Sequence, residues 1–293
     1  MSMWTKSKMH RGWKWNHHND QLHLVVNGFT HLIYGNYGDE KVQNVANIFG
    51  CTLGTKMILP DGREFRLAQA SSTSYLQPSY GVAGDQTFVN SGTAVATSAA
   101  GAYTVTMTTE EDVTENMFED GYLLVSTGSE KYPMYRIKEH PAANSASCVI
   151  TLREPLTLGK TGAAAVNSSQ TVTLFRNIYK SVRSPRAEGA VGFLKRHSWI
   201  GIATHCPSVT ASYYSWLQVS GWCPMSGYDN MGASEDEQQT YFWHDGSIRL
   251  CTTSAGLVEG KQICGIVAPC SHSSKGNEDL PGATIPVWLQ LPQ

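Results

Sequence analysis

Leu158-Gly159-Lys160-Thr161 is the stretch of this sequence closest to a phosphate-binding loop, because a Gly-Lys-Thr placed after a strand-like run can wrap backbone N–H groups and a lysine around a phosphate. That chemistry needs a first glycine five positions before the second, and Glu154 followed by Pro155 stands there. A carboxylate repels phosphate and a proline removes a donor, so nucleotide binding is not expected and 159–162 reads as a turn. His197, His205 and Cys206, with Cys264, Cys270 and His272 further on, are metal-ligand residue types. They lack the close Cys-Cys or His-His pairs from which two ligands converge on one ion, so buried thiols and surface histidines are expected. His10, His17, His18 and His23 lie in a basic segment that offers no rigid outer shell for a metal. The acidic runs Glu110-Glu111-Asp112 and Glu235-Asp236-Glu237 put like charges side by side on turns, where they repel and stay solvated instead of facing each other as a glycosidase pair. The chain contains no G-x-S-x-G, H-E-x-x-H or G-x-G-x-x-G. No catalytic residue, cofactor or metal is expected, and the protein is read as a non-enzyme.

Residues suited to binding are easier to find. The first nineteen residues hold Lys6, Lys8, Arg11 and Lys14 without an acid, interleaved with Trp4, Trp13 and Trp15. Such a segment suits a core poorly and suits another protein's surface well. Farther along, Tyr213-Tyr214-Ser215-Trp216 alternates aromatic residues between the two faces of one strand. One face belongs to a core; an outward Tyr213, Tyr214 or Trp216 would anchor a subunit interface.

The elements that must carry these residues read as β throughout. In 55–70 the turn Pro60-Asp61-Gly62 separates two runs that alternate apolar and polar residues, the pattern of a β-hairpin. Strands are further expected at 86–90, 103–108, 122–127, 134–139, 148–152 and 171–175, then at 198–203, 213–219, 240–243, 247–251, 262–267 and 285–291. The run TVTMT within 103–108 is the cleanest of them. A short helix is expected over 114–119, ending at Gly121. An all-β sandwich or barrel follows, divided into an extended N-terminal arm (1–50), a β domain (51–180) and a second β domain, or second sheet of the same one (190–293). The link is the extended stretch 181–189.

Composition narrows the function. Of 293 residues 41% are hydrophobic and only 16% charged, and the formal net charge is −2. A chain with that balance builds a large core, leaves surfaces that bury readily against neighbours, and has no global field to hold nucleic acid. The N-terminus has no apolar leader core and no run reaches membrane-span length, so folding in a cytosol without membrane contact is expected. Seven cysteines, an odd number, argue for free thiols over a disulfide framework.

Four segments, LPDGREFRLAQA (59–70), DGYLLVSTGSEKYPMYRIKEHPAA (120–143), VITLREPL (149–156) and SYYSWLQVSGWCP (212–224), resemble a family of tailed-bacteriophage virion proteins encoded near the major capsid protein. Arg136, Ile137, Lys138, His140, Pro141 and Ala142 stand in the places of a recurring segment of that family. None of these has a catalytic role there. The resemblance implies a capsid decoration, or cement, protein on the outer surface of the head, assembled in the host cytoplasm. Its implied partners are the major capsid protein and its own copies in a homotrimer. A head-fibre, tail or baseplate protein is the alternative within virions, and a carbohydrate-binding β protein the alternative outside them. About fifty residues before the hairpin and the chain after Pro224 fall outside the resemblance.

Overall fold

Alternation of apolar and polar residues turns more than half of the described residues into strands. The computed structural model describes residues 52–73, 75–84, 89–126, 134–157, 166–168, 170–184, 198–204, 209–227, 239–251, 262–267 and 284–291, together with the backbone of 13–16, 21–26 and 29–34. Among these the strands are β1 (Trp13–Asn16), β2 (Gln21–Val26), β3 (Phe29–Tyr34), β4 (Lys56–Ile58), β5 (Glu64–Gln69), β6 (Gly81–Ala83), β7 (Val89–Ala94), β8 (Thr104–Thr109) and β9 (Tyr122–Val125). They continue as β10 (Met134–Glu139), β11 (Ser147–Leu152), β12 (Thr171–Phe175), β13 (Trp199–Ala203), β14 (Tyr214–Ser226), β15 (Gln239–Phe242), β16 (Ile248–Leu250), β17 (Ile263–Val267) and β18 (Thr284–Gln290). The fold is all-β, with no helix among the described residues.

Two compact units form, and their boundaries differ from the expected division at 180–190. One is continuous, Gln86–Ile178; the other joins Met1–Asp85 to Tyr179–Gln293. The reason is a long-range pairing: β5 runs antiparallel to β14 from Tyr214↔Gln69 to Ser220↔Glu64, which ties the 55–70 hairpin to the late chain. Periodicity reveals a strand but not its partner.

In the continuous unit six strands close into a barrel in the order β10-β11-β8-β7-β12-β9. Val105 and Met107 of β8, Cys148, Ile150 and Leu152 of β11, and Val172 and Leu174 of β12 point inward with almost no exposure, and Phe118 plugs the core from the loop before β9. The expected helix at 114–119 is a series of tight turns instead. Met117, Glu119 and Gly121 donate to the carbonyls three residues back, and Asn116 and Asp120 take φ values of 56° and 59°, a left-handed backbone that no α-helix accommodates.

In the other unit twelve strands form one sheet, ordered β1-β2-β3-β4-β5-β14-β18-β17-β15-β16, with β13 joining β14 to β6. The first fifty residues were expected to be an extended arm; the backbone of 13–16, 21–26 and 29–34 is extended but paired, as a meander whose β3 runs parallel to β4. Trp4, Lys6, Lys8 and Arg11 lie outside the described residues.

Cys223 and Cys264 are buried in the core of this sheet, while Cys148 is buried in the barrel and Cys251 is half-buried. Burial pushes the Cys264 thiol up to about 12, helped by the neighbouring Cys251, and burial likewise raises Cys223 and Cys148. The thiolate is the reactive form. Cys223 and Cys264 should therefore resist a thiol reagent at pH 8 in the folded protein and react at once in denaturant; rapid labelling of either in native conditions would show the core placement wrong.

Candidate functional site

Charged residues of the two barrel motifs, 120–143 and 149–156, converge on one another. Asp120, in the turn before β9, is nearly buried and accepts from Arg153 Nη2 at 2.7 Å, with Arg136 Nη2 at 3.5 Å. Glu154 Oε1 in turn accepts the Arg136 N–H at 3.1 Å. His140 is buried as well: its Nδ1 lies 2.8 Å from Pro141 O and its Nε2 accepts the N–H of Phe118 at 3.0 Å, so the proton sits on Nδ1. Its ring lies against Phe118 at 5.7 Å between centroids. These contacts tie the turns before β9 and after β11 to the strand ends. Asp120, Arg136, Arg153 and His140, from two of the segments that carry the resemblance, are thus struts of the barrel.

The expected aromatic anchors divide. Trp216 is 3% exposed and packs with Met57, Phe65 and Leu67, so it is corrected from a possible surface anchor to core. Trp216 stands opposite Leu67 of β5 in the register, so the two side chains share the buried face of the sheet. Tyr214 is half-buried against this same cluster, and Tyr213 is half-buried against a neighbouring one that holds Ala68, Val182 and Leu217. The backbone of Trp13 and Trp15 lies in β1.

The segment 158–165, His197, His205, Cys206, Cys270, His272 and 235–237 lie outside the described residues. Glu110, Glu111 and Asp112 are exposed on the turn after β8, where Ser145 Oγ donates to Asp112. Among the described residues no group of three or more His, Cys, Asp or Glu could hold a metal ion.

Two faces that sequence reasoning missed stand out by what they lack. On the barrel, Thr104, Thr106 and Thr108 of β8 point outward because Val105 and Met107 point in. The strands beside it add Thr93 and Val95 on one flank and Ser147, Val149 and Thr151 on the other, in register Thr93↔Thr108↔Ser147 and Thr104↔Thr151. Val95 donates its N–H to Thr106 O, which completes the middle row with Val149. The named residues of β7, β8 and β11 carry no charge and are nearly all β-branched; Glu139 of β10 stands opposite Thr151 at the border of the face. Val95 is 51% and Val149 44% exposed.

On the sheet, Trp222, Trp288, Ile266 and Gln239 form one cross-strand row over β14, β18, β17 and β15. The indoles meet edge to face, 5.2 Å apart at 82°, while Cys223 and Val287 fill the core beneath. Pro224 pairs with Pro286 in the next outward position, and Ser220 with Gln290 on the other side. The signal was available: in TIPVWLQ (284–290) a tryptophan sits at the parity otherwise given to Thr, Pro and Gln.

Compared with protein-family models, with curated proteins and with solved structures, the chain matches none.

Proposed function

We propose that this chain is a non-enzymatic structural protein of a tailed-phage virion, a decoration protein that sits on the outside of the head and bridges major capsid subunits, as a homotrimer. The observation that carries the reading is the uncharged outer face of β7, β8 and β11 on the barrel. A face of Thr, Val and Ser loses little side-chain freedom on docking, since β-branched residues are already held at χ1, and it presents no charge to desolvate. It suits a broad, rigid protein surface better than a small substrate. The motif residues support the same reading from below: Asp120, Arg136, Arg153 and His140 stiffen the barrel that bears the face. The resemblance supplies the shell as the partner, the trimer and the assembly of the virion in the host cytoplasm.

The test is binding of the purified full chain to heads that lack it. Val149→Lys and Thr106→Lys, each leaving the circular dichroism spectrum unchanged, should lower occupancy at least tenfold, since each buries an unpaired ammonium in the contact. Saturation at a fixed ratio to the major capsid protein is expected. Full occupancy by both variants would sink the role of this face, and recovery of the protein with tails alone would move it off the head.

A further inference from the structure

The row of Trp222, Trp288 and Ile266 on the sheet unit has a different character from the barrel face. Trp222 is 49%, Trp288 39% and Ile266 44% exposed on adjacent strands, so three large apolar side chains stand together in water. With fully buried aromatic residues covering 150–250 Å² each, the row offers roughly 300 Å². A folded partner or a second copy needs about 800 Å² on each side. The row is therefore too small to hold a folded protein by itself, while it is ample for one or two rings of a small ligand.

Charge and polarity then choose the ligand. No acidic or basic residue stands among the outward positions Ser220, Trp222, Pro224, Pro286, Trp288, Gln290, Ile266 and Gln239. Among the described residues Glu64 stands opposite Ser220 on the β5 side and is paired with Lys56 Nζ at 2.7 Å, so the row itself offers an ion no counter-charge. What flanks the indoles is neutral: the exposed amide of Gln239 ends the row and that of Gln290 lies next to Trp288 along β18. Each amide brings two donors and one acceptor. A ligand with a flat C–H face to lie on an indole and neutral hydroxyls at its edge satisfies both parts. The electron-rich face of an aromatic ring attracts polarised C–H groups, and the edge-to-face pair supplies a face and an adjoining wall.

We propose that Trp222 and Trp288 form a binding platform for a neutral saccharide chain, oriented by Gln239 and Gln290. The platform is rigid because its two rings rise from paired strands β14 and β18, flanked by β17, above a filled core, so little order is lost on binding. This proposal stands apart from the shell contact, which uses the other unit.

The experiment is affinity electrophoresis and titration calorimetry of the full chain against neutral hexasaccharides of glucose, of galactose and of N-acetylglucosamine, with polygalacturonate as the anionic comparison. Binding to at least one neutral chain and none to polygalacturonate is expected. Trp222→Ala and Trp288→Ala should each weaken it at least tenfold, and Trp222→Phe should keep most of it. Gln290→Ala, which removes no ring, should weaken it severalfold and guards against a misfolded tryptophan variant. Absence of binding to all three neutral chains would overturn the proposal, as would binding that survives both alanine variants. A dimer in light scattering that Trp222→Ala dissolves would also overturn it, since the row would then be covered by a second copy.

Discussion

Replacing Gly92 by alanine should unfold the barrel. A Cβ on Gly92 would lie 1.8 Å from Thr108 O and 2.8 Å from Met107 Cε. The first of these is backbone, so no rotamer change relieves it; β7 and β8 must part. Gly92 stands between two partners, Val172 of β12 and Thr109 of β8, so the separation opens a closed ring and not an edge. The expected loss is about 4 kcal/mol or more, in the range reserved for main-chain collisions and core disruption. Gly62 is the comparison: its turn has φ of 85° but open space around it, and alanine there should cost only roughly 1–2 kcal/mol of backbone strain. Hydrogen exchange should show β8, β11 and β12 losing protection in the Gly92 variant. A stability loss no larger than that of Gly62→Ala would refute the argument.

The second large effect is expected at Asp120. Its carboxylate is shared by Arg153 and Arg136, both of them mostly buried, and its backbone is held at φ 59°. Asp120→Ala takes the carboxylate from two guanidinium groups and places a residue with no local hydrogen bond in a left-handed conformation. Breaking a buried pair from one side costs about 3–5 kcal/mol, and the part-exposure of the arginines argues for the lower end. Asp120→Asn keeps the acceptor and the tolerance for this backbone, so it should recover more than half of the loss in urea unfolding. Equal losses for the two variants would show that charge and not backbone sets the effect. A loss below about 1 kcal/mol for alanine would show the cluster to be no more than a surface ion pair.

Strands with clean alternation were legible, and their partners were not. The run 103–108 and the hairpin of 55–70 read directly because period two and turn chemistry are local properties. β14 was expected to end at 219 and runs on to Ser226, through Pro224. In the structure Pro224 faces Pro286 beyond the last pairings of β14 with β5 and of β18 with β17, so neither missing N–H leaves a ladder bond unmade. β6 was missed because Gly81-Val82-Ala83 is three buried residues with no alternation to see. The turn at 114–121 was misread as helix because acidic and apolar spacing cannot report the positive φ of Asn116 and Asp120. The same limit hid the site: Trp222 and Trp288 are 66 residues apart in the numbering and become one surface only through the register of β14 with β18.

The barrel's two ends have a consequence for the order in which the chain folds. Val89 pairs with Phe175, so the first and last strands of the barrel bring both ends of the segment together. In the sheet unit the places where the chain leaves and returns are also neighbours, since Ala83 and Arg183 exchange two N–H···O bonds of 2.9 Å each. While Gln86–Ile178 is unfolded, joining Ala83 to Arg183 means closing a loop of roughly 100 residues, and each halving of that loop saves about 0.6 kcal/mol of closure entropy. A folded barrel shrinks the effective loop to a few residues on either side, a gain of roughly 2 kcal/mol for the sheet unit. All barrel pairings are made within the segment, so it can form first. Its closure, by bringing Val89 to Phe175, then shortens the loop between the two stretches that the sheet must pair.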